Sequence, residues 1–487
     1  MRVKIIRIRN RRWANEEKMA KADKTKRILI FCLIITVMTF LKVMLWNFGD
    51  LDELWNYNLS RGIVMGMVPY RDFNMVLTPL FAFVNSFALL LSRSLIAYRI
   101  SCSLILTVLM LLVFKAVYDR TNEYYAMPSA LICLMFSGVV TYNTLFMIFA
   151  LSVYMLLARE NKSSGNFLIG ISAACAALSR QTSGGVLIIL VFIILLSPLS
   201  GASGAKQRAG NILMYLAGGA VPCVLFLIYL LATGSFSSFW EYCFFGLFAF
   251  GSGNGLFEIS AVPYLLVALA GIACDVVLMK TDFKASLLHL LTGVTVLLIS
   301  VPIVESMHTA YSAIWFSIPV VLFIRKRFGG QLSRKISVLL SAILAVAVSA
   351  MTVAGTAGCA VVKGSSELKG IAADTALITD YATLAMKNKE YEEMGYRVTT
   401  LSNSAVLVSV AEGDIDPVFD MFNKGNFGRK EPMEYVEEVL SRQDALILMP
   451  DDYPTEGWQN PEGIYEYVTS HCEVIGSYGR FKWYKPV

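Results

Sequence analysis

Charge is scarce in this chain: only 16% of its 487 residues are Asp, Glu, Lys or Arg, against roughly 25% in soluble domains. That shortage excludes an ordinary soluble fold. Histidine is scarcer still, with three in all, and the nine cysteines form no Cys-x-x-Cys pair and no Cys/His zinc spacing. Most cysteines stand inside apolar runs such as residues 173–178. There they read as small membrane-helix residues, so no metal site and no bound cofactor are expected. The polar C-terminal part holds no phosphate-cradling glycine motif and no nucleophile elbow, and nothing points to a nucleic-acid partner. The first apolar run, residues 28–46, lacks a small-residue cleavage pattern after it. It therefore reads as a retained anchor, not a removed signal peptide.

What the chain has is apolar length. Hydrophobic residues make up 56% of it and its mean hydropathy is +0.60, which marks a polytopic membrane protein. Segments of spanning or near-spanning length lie at 28–46, 95–118, 125–142, 144–158, 167–178, 184–199, 212–232, 262–279, 287–303, 311–324 and 336–354. A further run, 76–91, decides the topology. If it crosses, the loops holding Arg159 and Lys206 fall outside; if it lies along the interface, every basic cluster falls inside, including Lys280/Lys284 and Arg325 to Arg327. The second arrangement is expected, with a juxtamembrane helix at 76–91, eleven crossings, a basic cytoplasmic N-terminus (1–27) and an external C-terminus.

Composition changes after residue 357. From Gly358 onward 12 Lys+Arg stand against 21 Asp+Glu, while the part before carries 30 against 15. Residues 358–487 are expected to form a small extracytoplasmic α/β domain, with strands at 375–379, 397–400, 405–410 and 445–449, an amphipathic helix at 432–442 and a closing hairpin at 473–484 turning at Gly479. Residues 234–260 read as an aromatic-rich loop without lysine or arginine. It suits either the interfacial aromatic belt or a lid over a lipid-linked substrate.

One loop, 47–94, concentrates the charge: Asp50, Asp52, Glu53, Arg61, Arg71 and Asp72. Carboxylates beside a membrane are expensive. Either they face water and cap short helices, or one deprotonates an acceptor hydroxyl or amine while nearby cations hold a departing phosphate. Arg180 and Gln181, between two short apolar segments, share the outer face with Tyr142-Asn143 and with Glu305 to His308. A single arginine near a helix end can snorkel to lipid headgroups.

Asp52-Glu53 soon after the first membrane helix, Ser60-Arg61-Gly62, then Pro69-Tyr70-Arg71-Asp72-Phe73 and Pro79-Leu80 resemble the first external loop of GT-C-type integral membrane glycosyltransferases. Protein O-mannosyltransferases and bacterial lipid A aminoarabinose transferases are among them. By motif the resemblance covers roughly residues 1–200, and by architecture the remainder. It implies an all-α polytopic domain at 28–357 with a small C-terminal α/β domain. It also implies that Asp52 orients or deprotonates the acceptor with Glu53 as its companion, and that Arg180 contacts the phosphate of a polyprenyl-phosphate sugar, with Gln181 adding hydrogen bonds. Tyr70, Arg71 and Asp72 would shape the pocket, and His308 would touch phosphate or sugar. The family often carries an acid where this chain has Asn143, which suggests the metal-independent branch.

The implied reaction is direct transfer of a sugar from the lipid phosphate to a glycan, lipid or protein acceptor at the outer face of the cell membrane, with inversion. A nucleotide sugar is not needed, since nothing in the chain resembles a soluble nucleotide-binding domain. Two rivals make different demands. A transporter or flippase of lipid-linked glycans asks for broken helices and an internal repeat, and neither is visible in the sequence. A non-catalytic membrane scaffold leaves the acidic loop without a task.

Overall fold

The computed structural model describes residues 2–45, 51–159, 163–253, 255–328, 334–363, 367–401, 424–451 and 463–487. The first part is helical: α1 (Arg2–Met44), α2 (Leu51–Val64), α3 (Leu80–Leu89), α4 (Leu95–Tyr118), α5 (Glu123–Phe136), α6 (Tyr142–Ala158), α7 (Ser163–Ser179), α8 (Gln181–Leu196) and α9 (Ala205–Ala232). Then come α10 (Phe236–Trp240), a π-helical turn at Glu241–Gly246, α11 (Leu247–Gly253), β1 (Leu256–Phe257), α12 (Val262–Leu278), α13 (Phe283–Leu297), β2 (Ile303–Val304), α14 (Ser306–Phe328) and α15 (Arg334–Gly355). Among the described residues seven helices are long and apolar enough to cross a bilayer. Together with the shorter α5, α6, α7 and α8 they fall on the eleven apolar segments of the sequence. The run at 76–91 yields only α3, whose ten residues reach about 15 Å against a hydrocarbon thickness of about 30 Å.

Two local readings are corrected. Residues 234–260 are mainly helical, not a loop, because their aromatics recur at four-residue spacing. Phe236, Trp240, Phe244 and Phe248 form one exposed stripe, with Trp240 stacked on Phe244 at 4.4 Å and Phe244 edge-on to Phe248 at 5.3 Å. Such a stripe fits the interfacial belt. The expected third segment, 125–142, ends as a helix at Phe136, since Thr141 caps the next helix through the Asn143 N–H.

The charged helix ends gather at one pole of the bundle. There Arg27 meets Glu123 at 3.1 Å, Arg159 meets Asp119 at 2.9 Å and Arg120 meets Asp282 at 2.7 Å. α6 and α14 both run towards this pole, so their N-terminal ends, with Asn143 and Tyr311, lie at the other.

Beyond α15 come β3 (Cys359–Val361), β4 (Ala372–Asp374), α16 (Thr375–Glu393), β5 (Arg397–Thr400), α17 (Pro432–Leu440), β6 (Ala445–Pro450), α18 (Ile464–His471), β7 (Cys472–Tyr478) and β8 (Phe481–Pro486). The expected strand at 375–379 is instead the start of α16. Its inward residues Ile378, Leu384, Ala385 and Asn388 follow the helical repeat, and the strand sits just before it. The expected strand at 405–410 lies outside the described residues. β5 to β8 form a sheet in the order β5-β6-β8-β7, parallel only between β5 and β6. Every residue of β6 is buried, as a strand covered on both faces requires. Trp483 is fully buried and donates to Asn388 of α16 at 2.8 Å.

Candidate active site

The site is built around an elbow. α7 ends at Ser179 and α8 begins at Gln181, leaving Arg180 alone between them in an extended conformation (φ −145°, ψ 106°). Gly184 makes so sharp a return feasible: a Cβ there would stand 2.3 Å from the Ala177 backbone. Arg180 is the N-cap of α8 but its side chain makes no capping bond; half-buried, it turns inward. It donates to Asn143 Oδ1 at 2.6 Å, to the Ile299 carbonyl at 3.1 Å and to Ser183 Oγ at 3.3 Å, and its guanidinium lies 5.9 Å from the Tyr142 ring centre. Among the described residues no carboxylate stands within ion-pair distance of Arg180.

Asp52 approaches from α2. It is half-buried in the first helical turn, where the helix dipole favours a carboxylate. It lies within electrostatic range of the Tyr142 and Tyr311 hydroxyls, the same two groups that sense Arg180. Trp55, one turn along α2, meets Tyr142 edge-on at 6.4 Å. Tyr311 ties α14 to the start of α6, its hydroxyl 3.0 Å from Thr144 Oγ1 and 3.3 Å from Thr141 Oγ1. Acid and arginine therefore act on one tyrosine pair. Asn143 and Arg180 bond directly, and Asp52 acts on the same two tyrosines.

Other expected site residues have different tasks. Glu53, expected to be catalytic, is buried and takes two hydrogen bonds from the fully buried Arg99 of α4, at 2.7 Å each, while Arg99 also reaches the Met44 carbonyl at the end of α1. Glu53 thus fixes α2, and with it Asp52. Tyr70, Arg71 and Asp72 close a turn upon themselves. Arg71 pairs with Asp72 at 2.8 and 2.9 Å, Asp72 accepts the Val68 N–H at 2.7 Å, and the buried Tyr70, at φ +70°, donates to the Leu77 carbonyl. The Arg71 guanidinium, helped by that N–H, holds Asp72 below the usual carboxylate range. Gln181 donates to the Val76 carbonyl at 2.7 Å and Thr78 to the Ala177 carbonyl at 3.1 Å, strapping this loop to the elbow. His308 pairs with Glu305 at 2.8 Å, one turn before Tyr311. The other histidines also find partners: His289 pairs with Asp275 at 2.6 Å in the helical bundle, and His471 bonds the Tyr467 carbonyl.

Trp55, Tyr311 and Arg99 were not among the residues read from the sequence. Arg99 had a signal, as a lone arginine early in an apolar run. The tyrosine and tryptophan had none. The C-terminal part also touches α2. Glu367 pairs with the fully buried Arg61 at 3.0 Å, accepts from Tyr57 at 3.5 Å and offers its backbone carbonyl to the Leu95 N–H. Burial raises Glu367 above its ordinary range despite Arg61. A second contact joins Arg429 to Glu241 at 2.8 Å.

No protein-family model and no curated protein matches the chain by sequence. Solved structures do match. ArnT from Cupriavidus metallidurans superposes in its apo state with a TM-score of 0.61 at 11% identity, and bound to undecaprenyl phosphate with 0.60 at 12%, each over 94% of this chain and 98% of that one. The chain has the fold of GT-C-type membrane glycosyltransferases. The GT-C fold also relates it to the archaeal oligosaccharyltransferase AglB from Archaeoglobus fulgidus, in complex with an inhibitory peptide and a dolichol-phosphate. That match has a TM-score of 0.52 at 11% identity, over 88% of this chain and 70% of that one. Within the GT-C fold of this chain, the Arg180 elbow and the acidic turn of α2 meet at the pole opposite the basic helix ends.

Proposed function

We propose that this protein is a glycosyltransferase that moves a sugar from a polyprenyl-phosphate donor to an acceptor at the outer face of the cell membrane. The observation that carries the reading is Arg180, a half-buried arginine met by dipoles alone among the described residues, on the same tyrosine pair as Asp52. A cation held by neutral partners retains its charge for an anionic ligand. The first N–H groups of α8, beside it, favour the same sign. That ArnT and AglB were solved with polyprenyl phosphates supports the choice of donor.

In this mechanism Arg180 and the start of α8 hold the phosphate and stabilise the charge it gains as it leaves. Asp52 accepts a proton from the acceptor hydroxyl or amine, whose oxygen or nitrogen forms the new bond to the anomeric carbon as the bond to phosphate breaks. Attack opposite the leaving phosphate inverts the anomeric centre. Glu53 and Arg99 hold Asp52 in place, and the Tyr70 to Asp72 turn shapes the loop over the elbow. Asn143 brings no anionic charge to a metal, so we read the transfer as metal-independent. The basic pole is cytoplasmic by the positive-inside rule, which places the C-terminal domain outside.

The test is transfer in membranes containing wild type or Asp52→Asn at equal protein level, supplied with labelled polyprenyl-phosphate sugars and envelope acceptors. Wild type moves label from lipid to acceptor and Asp52→Asn does so at least about 100-fold more slowly, with EDTA leaving the wild-type rate unchanged. Equal rates for the two proteins would remove Asp52 from the mechanism.

A further inference from the structure

The proposed transfer makes no use of the basic pole. There a cavity of about 490 Å³ opens between the α4–α5 turn, the α12–α13 turn and the end of α14, within the range of about 300–1,000 Å³ common for small-molecule sites. Its polar wall is Arg120, Thr281, Asp282, Arg325 and Lys326, and its inner wall is the buried Leu278 and Leu322. Tyr311 and Arg325 lie on one helix, about 21 Å apart at 1.5 Å per residue. The cavity is therefore separate from the Arg180 elbow.

Its charges do not cancel. Asp282 is taken by Arg120 at 2.7 Å, and Arg120 also donates to the Tyr154 hydroxyl at 3.0 Å. Arg325 donates to the Arg120 carbonyl and Lys326 to Thr281 Oγ1. These two partners are dipoles, which orient the cations without neutralising them. The cavity thus presents an arginine fork and an ammonium, the groups that suit phosphate oxygens, above an apolar floor. A free phosphate has no use for that floor, whereas a lipid headgroup continues into glycerol and acyl chain.

We propose that this cavity binds the phosphate headgroup of an anionic membrane lipid from the leaflet at the basic pole. The lipid bridges the α4–α5 turn, the α12–α13 turn and α14, and so braces the bundle from the side opposite the reaction.

The test uses the full-length protein in nanodiscs of phosphatidylcholine with a minor share of phosphatidylglycerol. After extraction, retained lipid is counted by native mass spectrometry for wild type, Lys326→Gln and Arg325→Gln/Lys326→Gln. Lys326 is exposed, so the single variant keeps the test valid if the double variant folds poorly. Wild type is expected to retain phosphatidylglycerol well above its share in the disc, with retention falling roughly five-fold for each cation removed. A parallel titration of detergent-solubilised wild type with inorganic phosphate, read as thermal shift, separates the sources. Retention of the two lipids in disc proportion, or enrichment that survives in Lys326→Gln, would overturn the proposal. Stabilisation by inorganic phosphate without lipid enrichment would overturn the lipid assignment in favour of a free anion.

Discussion

Arg99 and Arg180 are both arginines held within the helical bundle, and their surroundings differ in burial and in partners. Arg99 is fully buried and meets a carboxylate with two hydrogen bonds of 2.7 Å. Arg180 is half-buried and meets an amide oxygen, a hydroxyl and a backbone carbonyl. The first charge is cancelled and serves as a structural tie between α2 and α4. The second is oriented but not cancelled, and it remains available to an incoming anion. The two acids of α2 also differ in their neighbours: Glu53 is bound by Arg99, while Asp52 acts on the tyrosine pair shared with Arg180.

Removing each arginine's charge should separate the two roles. Arg180→Gln is expected to lower transfer by about 100- to 1,000-fold, as loss of a charge-stabilising donor does, with little change in melting temperature. Arg99→Met is expected to act on the fold, costing about 3–5 kcal/mol by leaving Glu53 buried and uncompensated. Thermal unfolding in detergent checks this, and adding Glu53→Met should restore much of the loss. If Arg180→Gln unfolded the protein and Arg99→Met only slowed transfer, the assignments would have to be exchanged.

A smaller effect belongs to Asp72. Its pair with Arg71 is partly exposed, so Asp72→Asn should cost no more than about 1 kcal/mol and leave transfer within a few-fold of wild type. The pH dependence has a defined sign. Because Arg71 lowers the folded pKa of Asp72, the pair's contribution is present above about pH 4 and is lost as pH falls through the folded value. Melting temperatures of wild type and Asp72→Asn should therefore converge on acidification.

Much of this was legible in the sequence, for reasons that differ by region. Apolar length gave the helices, because in lipid each segment must satisfy its own backbone. The charge cluster around Asp52 and the single Arg180 stood out in a chain short of charge. The pairing of Glu53 with Arg99 was not legible, since it joins residues 46 positions apart and only the packing of α2 on α4 decides it. Tyr311 and Trp55 were hidden for a related reason: aromatics are common in membrane helices, and nothing local marks the two that line a site. The 234–260 segment was misread because its glycines and serines suggested a loop, while its aromatic spacing was already helical.

In the proposed reaction Arg180 holds the donor phosphate while Asp52 acts on the acceptor. The direct measurement is equilibrium binding of a polyprenyl phosphate to purified wild type, Asp52→Asn and Arg180→Gln, alongside transfer by the same preparations. Asp52→Asn is expected to bind as wild type yet not to transfer, and Arg180→Gln to lose both. Wild-type binding by Arg180→Gln, or wild-type transfer by Asp52→Asn, would contradict it.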